Sequence, residues 1–201
     1  MDRHGADLQE AQSGAPEIWK YLPEGPFAGE TDFRAWLVAR AAAADPLFYA
    51  IVDRASGRAT GMASFLRITP EHGVIEVGYI WYSLVLQRTP AATETMYLMA
   101  RHVFEDLGYR RYEWKCNELN APSRRAALRL GFTYEGVFRQ HMVVKDQNRN
   151  TAWYSMLDSE WPAAKAAFES WLEPDNFDAD GRQLRGLADF RNNPRKDGVG
   201  R

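Results

Sequence analysis

Apolar and polar positions follow two different periods along this chain, and the switches between them mark its elements. Helical spacing is weak at 5–11 and clear at 31–44, where Phe33, Trp36 and Leu37 share one side and Thr31 stands at the N-cap. Strand-like runs follow at 47–52, 59–68 and 74–82, with turns at 53–58 and 69–73, which predicts a meander of three strands. Gly78 interrupts the third run, so a bulge or a close backbone approach is expected there. The pattern then reads helix at 90–107, strand at 111–116 and helix at 121–130, with Gly108 and Gly131 as C-terminal stops. The strand sets Tyr112, Trp114 and Cys116 against Arg111, Glu113 and Lys115, giving it two distinct faces. A long hairpin is predicted from 132–145 and 151–157 around a turn at 146–150, and Ser159 caps a last helix running to about Leu172.

Outside these elements, Trp19 to Phe27 is an aromatic loop broken by Gly25, Pro23 and Pro26. Beyond Glu173 the composition turns polar, with 184–190 able to form a helical turn or two. The expected organisation is one domain over 1–172 followed by a polar tail over 173–201, because 201 residues suit a single well-filled core better than two. Net charge is −2, which gives no electrostatic case for nucleic acid, although arginine is locally dense at Arg110, Arg111, Arg124, Arg125 and Arg129. Cys116 is the single cysteine, so no disulfide can form within the chain. No apolar run approaches the roughly 20 residues of a membrane span, and no secretory leader is evident, so a cytoplasmic location is expected. His4, His72, His102 and His141 are scattered without ligand spacing, and no metal is expected.

Two strand-to-helix passages carry the candidate chemistry. The first, Gln87-Arg88-Thr89-Pro90-Ala91-Ala92-Thr93-Glu94, opens a helix whose first amides lack intrahelical partners and suit a phosphate. The second runs from Asn117 through Asn120-Ala121-Pro122-Ser123 to Leu130-Gly131-Phe132. With Ile75-Glu76-Val77-Gly78-Tyr79, these blocks resemble the GNAT N-acetyltransferase superfamily, in its RimJ/RimL-like branch, most strongly over 48–157. The resemblance implies an α+β fold, with a mixed central sheet of an antiparallel meander plus splayed parallel strands, flanked by helices. It implies acetyl-CoA as cosubstrate and a primary amine as acceptor, either a protein N-terminus or a small amine, attacked directly in a ternary complex. A homodimer is compatible with it. The other class of function is a non-catalytic acyl-CoA-binding or scaffold protein on the same fold.

Two departures from the family pattern stand out. Its phosphate loop reads Gln/Arg-x-x-Gly-x-Gly/Ala, whereas the matching positions here are Gln87, Pro90 and Ala92. Pro90 has no N–H, but at the first helical position that donor would be unpaired anyway, and Ala91, Ala92 and Thr93 are expected to donate. Members also begin with a strand ahead of the first helix, and this chain starts about where that strand would end, so either the edge strand is absent or the natural start lies upstream.

Acetyl transfer needs a neutral amine, a polarised carbonyl and a proton for the leaving thiolate. Glu76 is the candidate base, directly or through water, and a salt-bridged or solvent-facing strand carboxylate is its plainer reading. Ser123 matches the serine that the family sets beside the departing sulfur, and otherwise it is an ordinary first-turn residue. The resemblance lays pantetheine along the backbone of Ile80, Trp81 and Tyr82 and gives cofactor contacts to Gln87, Arg88, Asn117, Asn120 and Arg124. Asn120 is equally an N-cap, and Arg125 and Arg129 share the claim on phosphate with a solvated helix face. Tyr79 and Tyr82 are phenolic donors or packing residues; Trp19, Tyr21, Phe27 and Trp153 line an acceptor pocket or fill the core.

Overall fold

The computed structural model describes residues 3–192. In chain order they form α1 (Gly5–Gln12), α2 (Glu30–Ala41), β1 (Leu47–Val52), β2 (Ala59–Thr69), β3 (Val74–Tyr82), α3 (Pro90–Arg101), β4 (Arg111–Asn117), α4 (Ala121–Leu130), β5 (Thr133–Val144), β6 (Gln147–Leu157), α5 (Trp161–Leu172) and α6 (Leu187–Asn192). The strands make one sheet in the order β1-β2-β3-β4-β6-β5. Only β3 and β4 are parallel; every other neighbouring pair is antiparallel. This is the α+β arrangement expected, a mixed sheet with helices on its faces.

The bulge lies where Gly78 predicts it, and it changes what the third strand does. Met62 pairs with Trp81 while Ser64 pairs with Gly78, so β3 carries one residue more than β2 across this interval. Tyr79 absorbs it with a left-handed φ of 49°. One extra residue inverts the alternation of side chains. Ile75 and Val77 enter the core beneath α3, α4, α5 and α6, whereas Trp81 enters a second core on the opposite face. There Trp81 meets Trp19, Phe33 and Trp36 from the α1–α2 region. Trp19 is 1% exposed, and Phe27 packs edge-on against it at 5.1 Å, so these two aromatics belong to the core.

Several boundaries differ from the sequence pattern for local reasons. α2 starts at Glu30 with Gly29 as its N-cap, so Thr31 lies inside the helix. α3 ends at Arg101 and is continued by a π-helical turn, His102–Asp106. The hairpin closes at Lys145-Asp146, not at 146–150; both residues have positive φ (50° and 58°), the geometry of a two-residue hairpin turn. α5 begins at Trp161 after Glu160, so Ser159 does not cap it. The polar stretch beyond Glu173 is folded onto the domain as far as it is described. Leu187 and Phe190 are each 1% exposed, and buried Asn176 donates to the carbonyls of Trp171 and Arg185. Residues 193–201 of the expected tail lie outside the described residues.

Candidate active site

The parallel ladder between β3 and β4 runs only from Val74↔Arg111 to Val77↔Trp114. Beyond that point β3 turns through its bulge while β4 continues alongside β6 as far as Asn117↔Thr151. The two strands therefore part, and a cleft of about 1230 Å³ opens between them and passes through the sheet. Gly78 to Tyr82 form one wall, and Lys115, Cys116 and Asn117 form the other. A second hollow of about 1250 Å³ lies across α3, walled by Ile51, Ala63, Phe65, Leu98 and Met99, away from the splayed strands.

On the α3 side the cleft meets a helix start with few free donors. Thr89 is the N-cap; its Oγ1 accepts from the Ala92 amide at 3.3 Å and donates to the Leu86 carbonyl at 2.7 Å. In a helix beginning at Pro90, the Thr93 amide is the first to find an intrahelical acceptor, so it is not available as the sequence pattern suggests. Ala91 keeps a free N–H position, but its side chain faces the second hollow. Gln87 donates to the Tyr82 carbonyl at 2.9 Å and Arg88 takes a φ of 63°, both on the cleft wall. Thr93 Oγ1 accepts from Arg129 Nη1 at 3.1 Å. Burial holds the Arg129 guanidinium below its ordinary pKa, with neighbouring Arg191 acting the same way. Arg125 and Arg129 line the cleft; Arg124 does not. Arg124 instead donates to Tyr154 Oη at 3.2 Å and to the Glu118 carbonyl at 3.4 Å, so of these three arginines only Arg125 and Arg129 face the cleft. The helical repeat explains this: α4 turns Ala127 and Leu130 into the core, and Arg124 is not on the cleft side of that stripe.

Asn120 caps α4, its Oδ1 accepting from the Ser123 amide at 3.1 Å. Asn117 Oδ1 accepts from the Leu119 amide at 2.9 Å, and both asparagines line the cleft. Ser123 Oγ accepts from the Trp114 indole at 3.0 Å. A hydroxyl whose lone pair is used this way still has its own hydrogen to donate, and the Cys116 sulfur is the neighbour that takes it here. Next to it, burial pushes the Cys116 thiol up, only partly offset by a hydrogen bond with Ser123. Ile80 and Tyr82 pack against the main core from the cleft wall. Burial raises the Tyr82 phenol well above its usual range, and its hydroxyl donates to the Ala92 carbonyl at 3.4 Å, so Tyr82 supports the first turn of α3. Burial also raises the Tyr79 phenol.

The other sheet face holds charged side chains that the linear pattern did not bring together. Glu76 is 3% exposed; its Oε2 accepts from Arg67 Nη1 at 2.6 Å and forms an ion pair with Lys115 Nζ at 2.8 Å. Glu76 is therefore salt-bridged and not solvent-facing, and Oε1 remains without a hydrogen-bonding partner among the described residues. Lys115 also donates to Glu113 and lies 3.9 Å from the centre of the Trp153 ring. Arg149 and Tyr21 line this end of the cleft, with Tyr21 Oη donating to the Leu119 carbonyl at 3.1 Å. The alternation of Arg111, Glu113 and Lys115 was the one sequence signal for this face; Arg67 and Arg149 reach it only through strand register.

Among the described residues no group of three or more histidine, cysteine, aspartate or glutamate side chains could hold a metal ion, and no helix is long and apolar enough to cross a membrane.

Comparison with known proteins matches residues 4–133 to the acetyltransferase (GNAT) domain family. A solved structure of a GCN5-related N-acetyltransferase from Brucella melitensis is 50% identical, covers 95% of this chain and 87% of its own, and superposes with a TM-score of 0.93. A probable acetyltransferase of the GNAT family from Chromobacterium violaceum is 43% identical over 80% of this chain and 81% of its own, with a TM-score of 0.76. Among curated proteins, the ribosomal-protein-serine acetyltransferase of Escherichia coli (strain K12) is 30% identical over 101 residues, 50% of this chain. That match spans 56% of the curated relative, little more than half its length. The splayed strands, the helix start beside them and these relatives agree, and the chain belongs to the GNAT acetyltransferase family.

Proposed function

We propose that this protein transfers an acetyl group from acetyl-CoA to a primary amine, the α-amine of a peptide or protein N-terminus in preference to a small amine, within a ternary complex. The observation that carries this reading is the cleft through the sheet, which joins a helix start flanked by Arg88, Arg125 and Arg129 to the face that presents Glu76. The residues present fit the cosubstrate: basic side chains at the α3 start and along α4 suit its phosphates, and the edge of Gly78 to Tyr82 left unpaired by β4 suits its amide-bearing arm. When bound, acetyl-CoA supplies the activated acetyl thioester. Glu76 Oε2 is fixed by its two cations, and Oε1 accepts a hydrogen bond from the amine or from a relay water. Ser123 Oγ offers its hydrogen on the opposite wall, held in place by the Trp114 indole. An α-amine is about a tenth to a sixth neutral at pH 7, whereas a lysine-like amine is neutral about once in two to three thousand molecules. A carboxylate already shared between two cations is a modest base, which favours the α-amine. The one cysteine is free, which fits a reducing cytoplasm.

Acetyl-CoA turnover followed by thiol release, against peptides of varied N-terminus, polyamines and aminoglycosides, tests this reading. Turnover of peptides supports it. Acetyl-CoA binding without turnover of any amine supports the binding-only alternative, which the scarcity of free amides at Pro90 favours. No binding in calorimetry from micromolar to millimolar ligand removes both.

A further inference from the structure

A chain of ion pairs crosses the sheet face on which Glu76 lies. Arg67 meets Glu76 at 2.6 Å, Glu76 meets Lys115 at 2.8 Å and Lys115 meets Glu113 at 2.6 Å. Glu113 meets Arg111 at 2.7 Å, and Arg111 meets Glu135 at 2.6 Å. The bases Arg67, Lys115 and Arg111 match the acids Glu76, Glu113 and Glu135 one for one, so the chain of pairs is neutral as a set.

Arg149 stands beside this set and outside its balance. The pairings Asn117↔Thr151 and Lys115↔Trp153 put Thr151 and Trp153 on the Lys115 face, and the strand period adds Arg149 to them. Its Nε donates to Thr151 Oγ1 at 3.2 Å, and no acidic side chain pairs with it among the described residues. It lines the cleft while only partly exposed, and burial pulls its pKa down from the ordinary value, although the Cys116 thiol and the Glu76 carboxylate, which does not pair with it directly, act the other way. A guanidinium drawn partly out of water without a direct ion pair is less favourable than a paired one, and something that binds there can bring the missing negative charge. The cosubstrate's phosphates have their own cations: Arg88 at the α3 start, and Arg125 and Arg129 on α4.

We infer that Arg149 recognises a carboxylate carried by the acceptor close to its reacting amine. The acceptor is then a free amino acid, through its α-carboxylate, or a peptide with an acidic residue next to its N-terminus. This rests on the acetyl-transfer reading and narrows it, because it excludes polyamines and other purely cationic amines.

Matched acceptors provide the test: an amidated Ser-Asp-Ala peptide against Ser-Asn-Ala, and serine against serinamide, with each rate expressed per neutral amine because the adjacent carboxylate raises the amine's own pKa. Each is assayed by thiol release with saturating acetyl-CoA. In one of the two pairs the acid is expected to be used at least about tenfold better in kcat/KM, mainly through KM, and the pair concerned tells amino acid from peptide. Arg149→Gln brings that ratio close to one, and Arg149→Lys restores part of it; acetyl-CoA binding by calorimetry verifies that each variant is folded. Equal use of acid and amide by the unaltered protein overturns the inference, as does a ratio that survives Arg149→Gln. Turnover confined to amines without a carboxylate overturns it too, as does silence across the panel while acetyl-CoA binds. Failure to bind acetyl-CoA overturns the acetyl-transfer reading itself.

Discussion

The proposed reaction asks two things of Glu76, one from each oxygen. Oε2 joins Arg67 to Lys115, whose side chain is only 5% exposed, and Oε1 is left for the cleft. Glu76→Gln keeps the shape but leaves Lys115 with Glu113 alone, at a cost of about 1–3 kcal/mol, less than for a fully orphaned buried charge. Turnover at neutral pH falls as well, by about tenfold or more. The sign of the pH dependence follows from the amine, which is protonated below its own pKa and neutral above it. The variant's deficit is therefore largest near pH 6 and shrinks towards about pH 9, where the amine needs no base. A pH profile parallel to that of the unaltered protein would leave Glu76 as a brace only. Ser123 links stability and chemistry in the same way. Ser123→Ala leaves the indole N–H of Trp114, 6% exposed, without its acceptor, which costs about 1–3 kcal/mol. It also lowers kcat by about tenfold to a hundredfold while acetyl-CoA affinity stays within a few-fold. Thermal unfolding and single-turnover rates separate the two effects; a loss of stability with full kcat would remove Ser123 from the chemistry.

At the scale of elements, the proposed reading makes the start of α3 the place where the phosphates are held. Pro90 supplies no N–H, and the Thr89 hydroxyl already accepts from the Ala92 amide. Pro90→Ala adds one donor at the positive end of the helix dipole and loses the preset φ, so acetyl-CoA is expected to bind about three- to tenfold more tightly in calorimetry. An unchanged or weaker affinity would mean that the helix end is not aimed at the phosphates. The helix start itself was legible in the sequence, as were the meander, the Asn120 cap and the Gly131 stop, because each depends on a short local pattern. At Gly131 the φ of 103° and an added Cβ 3.1 Å from the Arg191 guanidinium leave no other residue a comfortable fit. Other features had no local signature. Lys145-Asp146 lacks the glycine that usually marks a two-residue hairpin turn, while Asn148 and Asn150 drew the expected turn further along. The bulge was legible at Gly78, but the inversion that sends Trp81 to the opposite core depends on the left-handed residue being Tyr79. The meeting of Arg67, Glu76, Lys115 and Arg149 needed the register of β2 against β3 and of β4 against β6, which no single segment contains.

For the molecule as a whole, the cleft divides the sheet between two cores, and its α-helical side depends on residues far along the chain. Phe177, Arg182 and Gln183 line that side, beside Trp171. Arg129 lies 5.0 Å from the centre of the Trp171 ring and reaches Thr93 at the α3 start, so α3, α4 and α5 meet at one guanidinium. α6 holds this junction from behind. Its Arg191 donates to the Arg129 carbonyl and, at 3.1 Å, to the Leu128 carbonyl, neutralising the exposed carbonyl end of α4. Leu187 and Phe190 anchor that helix in the main core. Phe190→Ala is therefore expected to cost about 3–5 kcal/mol in denaturant unfolding, as removal of a fully buried phenyl ring does. The loss extends to the cleft, because α6 without its anchor no longer fixes Arg191 on the end of α4, and Arg129 loses its support. Acetyl-CoA affinity then falls under conditions where the variant is still folded. Arg191→Ala separates the two contributions, since it removes the α4 contact while leaving the ring in the core. Its stability loss is smaller, about 1 kcal/mol, with a similar weakening of acetyl-CoA. Full acetyl-CoA affinity in both variants would show that the described end of the chain only completes the core and has no part in the site.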